Sequence, residues 1–139
     1  MLLRTFYKIS LLYFLSMPNH LWAQSFNDGR VGGTVHMSDN LKAKYHDKGV
    51  LFISVRPFGQ TQGAPIAVFR IPNPKYPQAF VLGPKNAMIP GVAFQGPFTV
   101  FARHSLTGDA TDAEALVAST PLDKKIEVGK RNVTLKFKD

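Results

Sequence analysis

After its first two dozen residues, this chain repeats its apolar and polar positions mostly with a period of two. The clearest case is the terminal run Val133-Thr134-Leu135-Lys136-Phe137-Lys138, which alternates strictly. Side chains of a strand point to opposite faces in turn, so Val133, Leu135 and Phe137 are expected to face a core and Thr134, Lys136 and Lys138 to face water. Residues 50–55 form a compact apolar run between Gly49 and Pro57, and their length and β-branching favour a buried strand over a helix. Residues 66–71 read as a second core strand, ended by Pro72-Asn73-Pro74 because proline cannot donate to a ladder. Residues 98–103 read as a third, and weaker patterns place short strands over 32–37 and 78–82. Ser38 is a plausible N-cap for a helical turn over 38–44. Residues 58–65 make a Gly/Pro/Gln-rich loop, Gly83-Pro84, Pro90-Gly91 and Thr107-Gly108-Asp109 make turns, and Asp112-Ala113-Glu114 opens a further loop. Several short strands between turn signals predict an all-β sandwich. Phe52, Val68, Phe101 and Leu135, each mid-strand in an apolar run, are expected inside it.

The start of the chain obeys a different pattern. Arg4 and Lys8 are followed by a mostly apolar run over 9–17, then by Pro18-Asn19 and Leu21-Trp22-Ala23. A basic region, an apolar core, a breaker and a small residue make a secretory signal peptide over 1–23. The run is shorter than the roughly 20 residues that span a bilayer. Cleavage after Ala23 gives a mature domain of residues 24–139, exported to the periplasm, and the absence of cysteine excludes a lipoprotein anchor.

Composition narrows the chemistry. Without cysteine there is no disulfide, no thiol nucleophile and no thiolate metal site, so the fold must rest on apolar burial. The net charge of +8 falls to +6 once Arg4 and Lys8 are removed, and such a charge favours acidic partners and membrane surfaces. Without a basic stripe or an aromatic stacking motif, nucleic acid is not an expected partner. His36, His46 and His104, with Met37 and Met88, suit copper by ligand type. No two of them lie at a close ligand spacing, however, and isolated strand histidines are expected to face solvent, so no metal site or cofactor is expected. Asp109, Asp112 and Glu114 read as a solvated acidic loop. There is no nucleophile elbow and no glycine-rich phosphate loop, which leaves a non-enzymatic β domain with no catalytic residues.

Four stretches add a family resemblance by their order and spacing. They are Val50-Leu51-Phe52-Ile53-Ser54-Val55-Arg56; Gly63-Ala64-Pro65-Ile66-Ala67-Val68 with Arg70; Phe80-Val81-Leu82-Gly83-Pro84-Lys85-Asn86-Ala87-Met88 with Pro90; and Val100-Phe101-Ala102-Arg103-His104-Ser105-Leu106-Thr107-Gly108-Asp109-Ala110. In this order the chain resembles the C-terminal periplasmic domain of the cytochrome c biogenesis protein CycH, from about Gly32 to the C-terminus. The family often has Gly-Asp-Leu where this chain has Thr111-Asp112-Ala113-Glu114. Its members carry membrane helices and a tetratricopeptide domain ahead of this one, and neither pattern is present in these 139 residues. A stand-alone copy with an altered role is therefore an expectation.

The resemblance implies an immunoglobulin-like β-sandwich that binds and does not catalyse. In the family this domain, with its helical partner domain, holds unfolded apocytochrome c for haem ligation. The implied partner is a protein, either apocytochrome c or a maturation subunit, with association to a membrane complex. A sandwich can take an extended segment along an open edge strand through main-chain hydrogen bonds. Arg56, Arg70 and Arg103 are candidate contacts because they end strands where loops gather. Met88 is a fourth, an apolar loop residue considered with Phe58, Tyr76 and Phe94. A metal-binding accessory protein and a structural subunit of an envelope complex are the alternative readings.

Overall fold

The computed structural model describes residues 29–139, and the expected signal peptide over 1–23 and mature start at Gln24 lie outside the described residues. Six of the seven strands among the described residues fall where the sequence pattern placed them. They are β1 (Val31–Met37), β2 (Val50–Pro57), β3 (Ala67–Pro72), β4 (Gln78–Leu82), β5 (Phe98–Ser105), β6 (Leu116–Ser119) and β7 (Val133–Phe137). A helix of two turns, α1 (Asp39–Tyr45), follows β1, and a 3-10 turn (Pro84–Asn86) follows β4. One sheet has the order β4-β1-β7, with β1 antiparallel to β4 and parallel to β7. The other has the order β3-β2-β5-β6 and is antiparallel throughout. The result is an all-β, immunoglobulin-like sandwich.

Register decides what lies between the sheets. Across the four-stranded sheet, the inward rows are Ile71-Leu51-His104-Leu116 and Phe69-Ile53-Ala102-Ala118, with Ala67-Val55-Val100 beyond them. Val31, Val35, Phe80, Leu82, Leu135 and Phe137 close the core from the three-stranded sheet. Gly33 lies directly opposite Val133, and a Cβ there would come within 1.9 Å of the Val133 carbonyl oxygen. Only glycine allows β1 and β7 to approach this closely.

Two sequence expectations are corrected, one about the core and one about the loop after Asp112. Leu135 is inside, but Phe52, Val68 and Phe101 are only partly buried, because they carry the opposite parity to Leu51, Ile53 and Val55 and face outward. The loop after Asp112 contains β6, an edge strand that turns Leu116 and Ala118 inward. Ser38 does occupy the N-cap position of α1, but its hydroxyl donates to Asp139 Oδ1 at 2.7 Å and makes no bond to the helix. Asn40 donates to Asp139 Oδ2 at 2.7 Å, so the two side chains pin the C-terminal residue.

Phe98 is fully buried and packs on Phe94 with ring centroids 4.8 Å apart, while Phe101 lies half-buried under Arg56. Phe98→Ala should cost about 3–5 kcal/mol in equilibrium urea unfolding. Phe101→Ala should cost less than about 2 kcal/mol, since only part of its area leaves water on folding. Equal losses would contradict the parity assigned to β5.

Candidate functional site

The outward parity of the four-stranded sheet gathers the candidate arginines. β2 presents Phe52, Ser54 and Arg56 on this face, and its neighbours supply the partners directly opposite. The first row runs Arg70-Phe52-Arg103-Val117, and the second runs Val68-Ser54-Phe101-Ser119. Arg56, opposite Thr99, starts the third. Arg56, Arg70 and Arg103 therefore share one face, with Phe52 between two of them and Phe101 beneath the other. Val117, 58 % exposed, extends the apolar surface to the β6 edge.

The three guanidiniums are held differently. Arg56 lies over the Phe101 ring with its Cζ 4.9 Å from the centroid, and its Nε donates to the Gly63 carbonyl at 3.3 Å. An Arg over an aromatic face gains a cation–π attraction. Arg103 donates from Nη2 to the Asp112 backbone carbonyl, and its buried Nε has no hydrogen-bond partner among the described residues. Arg70 is exposed and makes no hydrogen bond or ion pair with a described residue. At the Arg56 end, the loop after β2 covers Thr99, whose hydroxyl accepts the Gly59 N–H at 3.1 Å. Met88 is not on this face. It sits beside the start of β3, where its N–H donates to the Ile66 carbonyl at 2.9 Å, and its side chain is 55 % exposed.

The acidic loop organises the Arg103 end. Asp112 accepts from Ser105 Oγ and Thr107 Oγ1, each at 3.2 Å, and from the Glu114 N–H at 2.9 Å. The Glu114 N–H is the largest influence holding the Asp112 carboxyl below its ordinary value. Thr111 does the same for Asp109 through its N–H and hydroxyl.

The histidines do not converge. Among the described residues no group of three or more His, Asp or Glu is placed to hold a metal ion. His104, expected in solvent, is fully buried in an inward row between Leu51 and Leu116. Its Nε2 faces the Lys48 carbonyl at 2.8 Å, and a carbonyl only accepts, so Nε2 carries the proton. Nδ1 is then the acceptor for the Tyr76 hydroxyl. Tyr45 meets the imidazole edge-on at 5.1 Å, Phe137 packs against both partners, and His46 Nδ1 accepts the Tyr76 N–H at 3.1 Å. Burial pushes the Tyr76 phenol well above its ordinary range. Burial also lowers His104, against a smaller opposing effect of the bond to Lys48.

An immunoglobulin-like two-sheet sandwich is the architecture the family resemblance implies, and the sequence match agrees. Residues 31–135 match the family described as the cytochrome c-type biogenesis protein H Ig-like domain. The chain belongs to this family. A comparison with curated proteins finds no match. Among solved structures, the chain is similar to an alternative pilotin from the type II secretion system of Vibrio cholerae, at 14 % identity and a TM-score of 0.47, covering 78 % of this chain and 93 % of that one. Membership of the biogenesis family supports a role in cytochrome c maturation, through an accessory domain and not a known catalytic one. Domains of this family are in general extracytoplasmic, and no helix among the described residues is long and apolar enough to cross a membrane.

In this Ig-like domain the buried His104–Tyr76 pair ties β5 to the β3–β4 connection, with a pH signature of defined sign. The folded state holds His104 below the ordinary imidazole value of about 6.5, so the unfolded chain binds the extra proton first as pH falls. The contribution of His104 to stability is complete above about pH 6.5 and is lost as pH drops from there through the folded-state pKa. Urea unfolding at pH 7 and pH 5 should show a loss in the natural protein that is much smaller in His104→Leu. An equal loss in both would remove His104 as its source.

Proposed function

We propose that this domain is a non-enzymatic binding module of extracytoplasmic cytochrome c maturation, which holds an unfolded polypeptide on the outer face of the β3-β2-β5-β6 sheet. The partner is an apocytochrome c segment or a subunit of the maturation machinery. The observation that carries the reading is the convergence of Arg56, Arg70 and Arg103 around Phe52 and Phe101. Arginine and aromatic residues are the side chains that most often dominate binding energy at protein interfaces. Arg56 and Arg103 are already positioned by Phe101, Gly63 and Asp112, so binding orders fewer flexible side chains. Met88 contributes an apolar contact at the β3 margin.

The sign of the partner follows from an acid-free stretch. Between residues 48 and 108 there is no Asp or Glu, while Lys48, Arg56, Arg70, Lys75, Lys85 and Arg103 all fall within it. A surface of one sign attracts an oppositely charged partner and rejects others, so the bound segment is acidic or carries acidic residues beside its apolar ones. The reading includes export through the signal peptide at 1–23, and N-terminal sequencing of the exported protein should begin at or near Gln24.

The direct test is titration of the purified protein with an unfolded cytochrome c precursor, alongside the isolated precursor C-terminal peptide. Arg70→Glu changes an exposed side chain without a partner and should leave urea unfolding unchanged. It should weaken binding by at least about tenfold, or about 1.4 kcal/mol. Binding should also weaken as salt rises, since exposed charges are screened within about 10 Å at 0.1 M. If neither ligand binds at about 100 μM, weaker than roughly −5.5 kcal/mol, the apocytochrome reading fails and a structural envelope subunit takes its place.

A further inference from the structure

On the other side of β3 the sandwich is open. β3 ends one sheet and β4 ends the other, and a cleft of about 540 Å³ lies along this seam. Its apolar lining is Phe69 from β3, Val81 from β4 and Pro84 from the 3-10 turn. Phe69 has the opposite parity to Val68 and Arg70, so the cleft and the arginine face lie on different sides of β3. The cationic lining is Arg30 and Lys85. A Cβ at Gly83 would come within 2.9 Å of Arg30 Cγ, so the missing side chain is what lets the Arg30 stem pass over this turn. Asn86 fixes the turn by accepting the Gly83 N–H at 3.0 Å.

Two further properties specify an occupant. Among the described residues β4 pairs with β1 alone, so its outer main-chain groups have no strand partner there. An edge of this kind accepts an added strand. Among the described residues no acid lines the cleft, and its β3, β4 and turn residues all fall in the acid-free stretch. An occupant that pairs with β4 therefore gains most from an apolar side chain next to a carboxylate.

We propose that this cleft docks an extended acidic–apolar segment of a partner protein. The segment adds as a strand beside β4, sets an apolar side chain between Phe69 and Val81, and places a carboxylate at Lys85. The site is separate from the arginine face and does not depend on the reading given for it.

The test uses the purified protein, amide shifts in NMR, and an end-capped peptide of about six residues, a common strand length, alternating Glu and Val. Shifts should concentrate on Ala79, Val81, Lys85 and Asn86. Lys85→Glu and Val81→Lys should each weaken binding by at least about tenfold, equivalent to about 1.4 kcal/mol, while Arg70→Glu should weaken it much less. A peptide with Lys for Glu, or one N-methylated at alternate amides, should bind far more weakly. The proposal is overturned if the peptide causes no shift at about 1 mM, a free energy of roughly −4.1 kcal/mol, or if the shifts fall on Phe52, Arg70 and Arg103. It is also overturned if the two cleft variants bind as the natural protein does, or if either control peptide binds equally well. Stronger shifts of the same residues with dodecanoate would assign the cleft to a small amphiphile. Concentration-dependent shifts without peptide would assign it to a second copy of the chain. Either result replaces the proposal.

Discussion

The register between β2 and β5 sets both faces of the larger sheet. It places Leu51, Ile53 and Val55 opposite His104, Ala102 and Val100, and the same pairing places Phe52, Ser54 and Arg56 opposite Arg103, Phe101 and Thr99. A slip of one residue in β2 would turn its whole side-chain set over. Arg56 and Ser54 would then enter the core while Leu51, Ile53 and Val55 entered water. Burying an unpaired charge costs several kcal/mol, and each large aliphatic side chain returned to water costs about 1.5–3 kcal/mol. The core and the arginine face are thus two consequences of one pairing, and selection for the first constrains the second.

A sheet face that carries two phenylalanines gains from cover, and arginine supplies it. Arg56 lays its guanidinium on Phe101, and Phe52 lies between Arg70 and Arg103 in a single row. Long cationic side chains bury their stems on apolar surface while their heads remain in water. This accounts for the partial burial of Phe101 under Arg56. It also makes the cover removable, because a partner that engages the guanidiniums gains access to the rings below.

The strands were legible wherever polar and apolar residues alternated, as in β7. Parity was not legible in β2, where residues 50–53 are all apolar and side-chain size alone favoured Phe52 as core. The polar members of the same strands carried the answer: Ser54 and Arg56 share Phe52's parity, Arg70 shares that of Val68, and Arg103 that of Phe101. Choosing the parity that keeps arginine out of the interior would have assigned the core correctly and revealed the arginine face at the same time. β6 escaped notice because it is a four-residue edge strand with only Leu116 and Ala118 turned inward. The burial of His104 was not legible for a different reason. Its burial depends on Tyr76 and Lys48, which are distant in sequence, and no local pattern reports a partner brought in by the fold.

Charge segregation has a structural counterpart that strengthens its effect. The acids nearest to Arg103 in sequence are Asp109 and, beyond it, Asp112. Asp112 meets Arg103 through its backbone carbonyl and commits its carboxylate to Ser105, Thr107 and the Glu114 N–H. Asp109 is occupied by Thr111 and feels Arg103 only as the weakest of its influences. Arg103 is therefore anchored without being neutralised by a direct ion pair. A carboxylate in its place would have held the guanidinium equally well and cancelled its field at this face. Anchoring by a carbonyl keeps position and charge together, which is the combination a recognition surface requires.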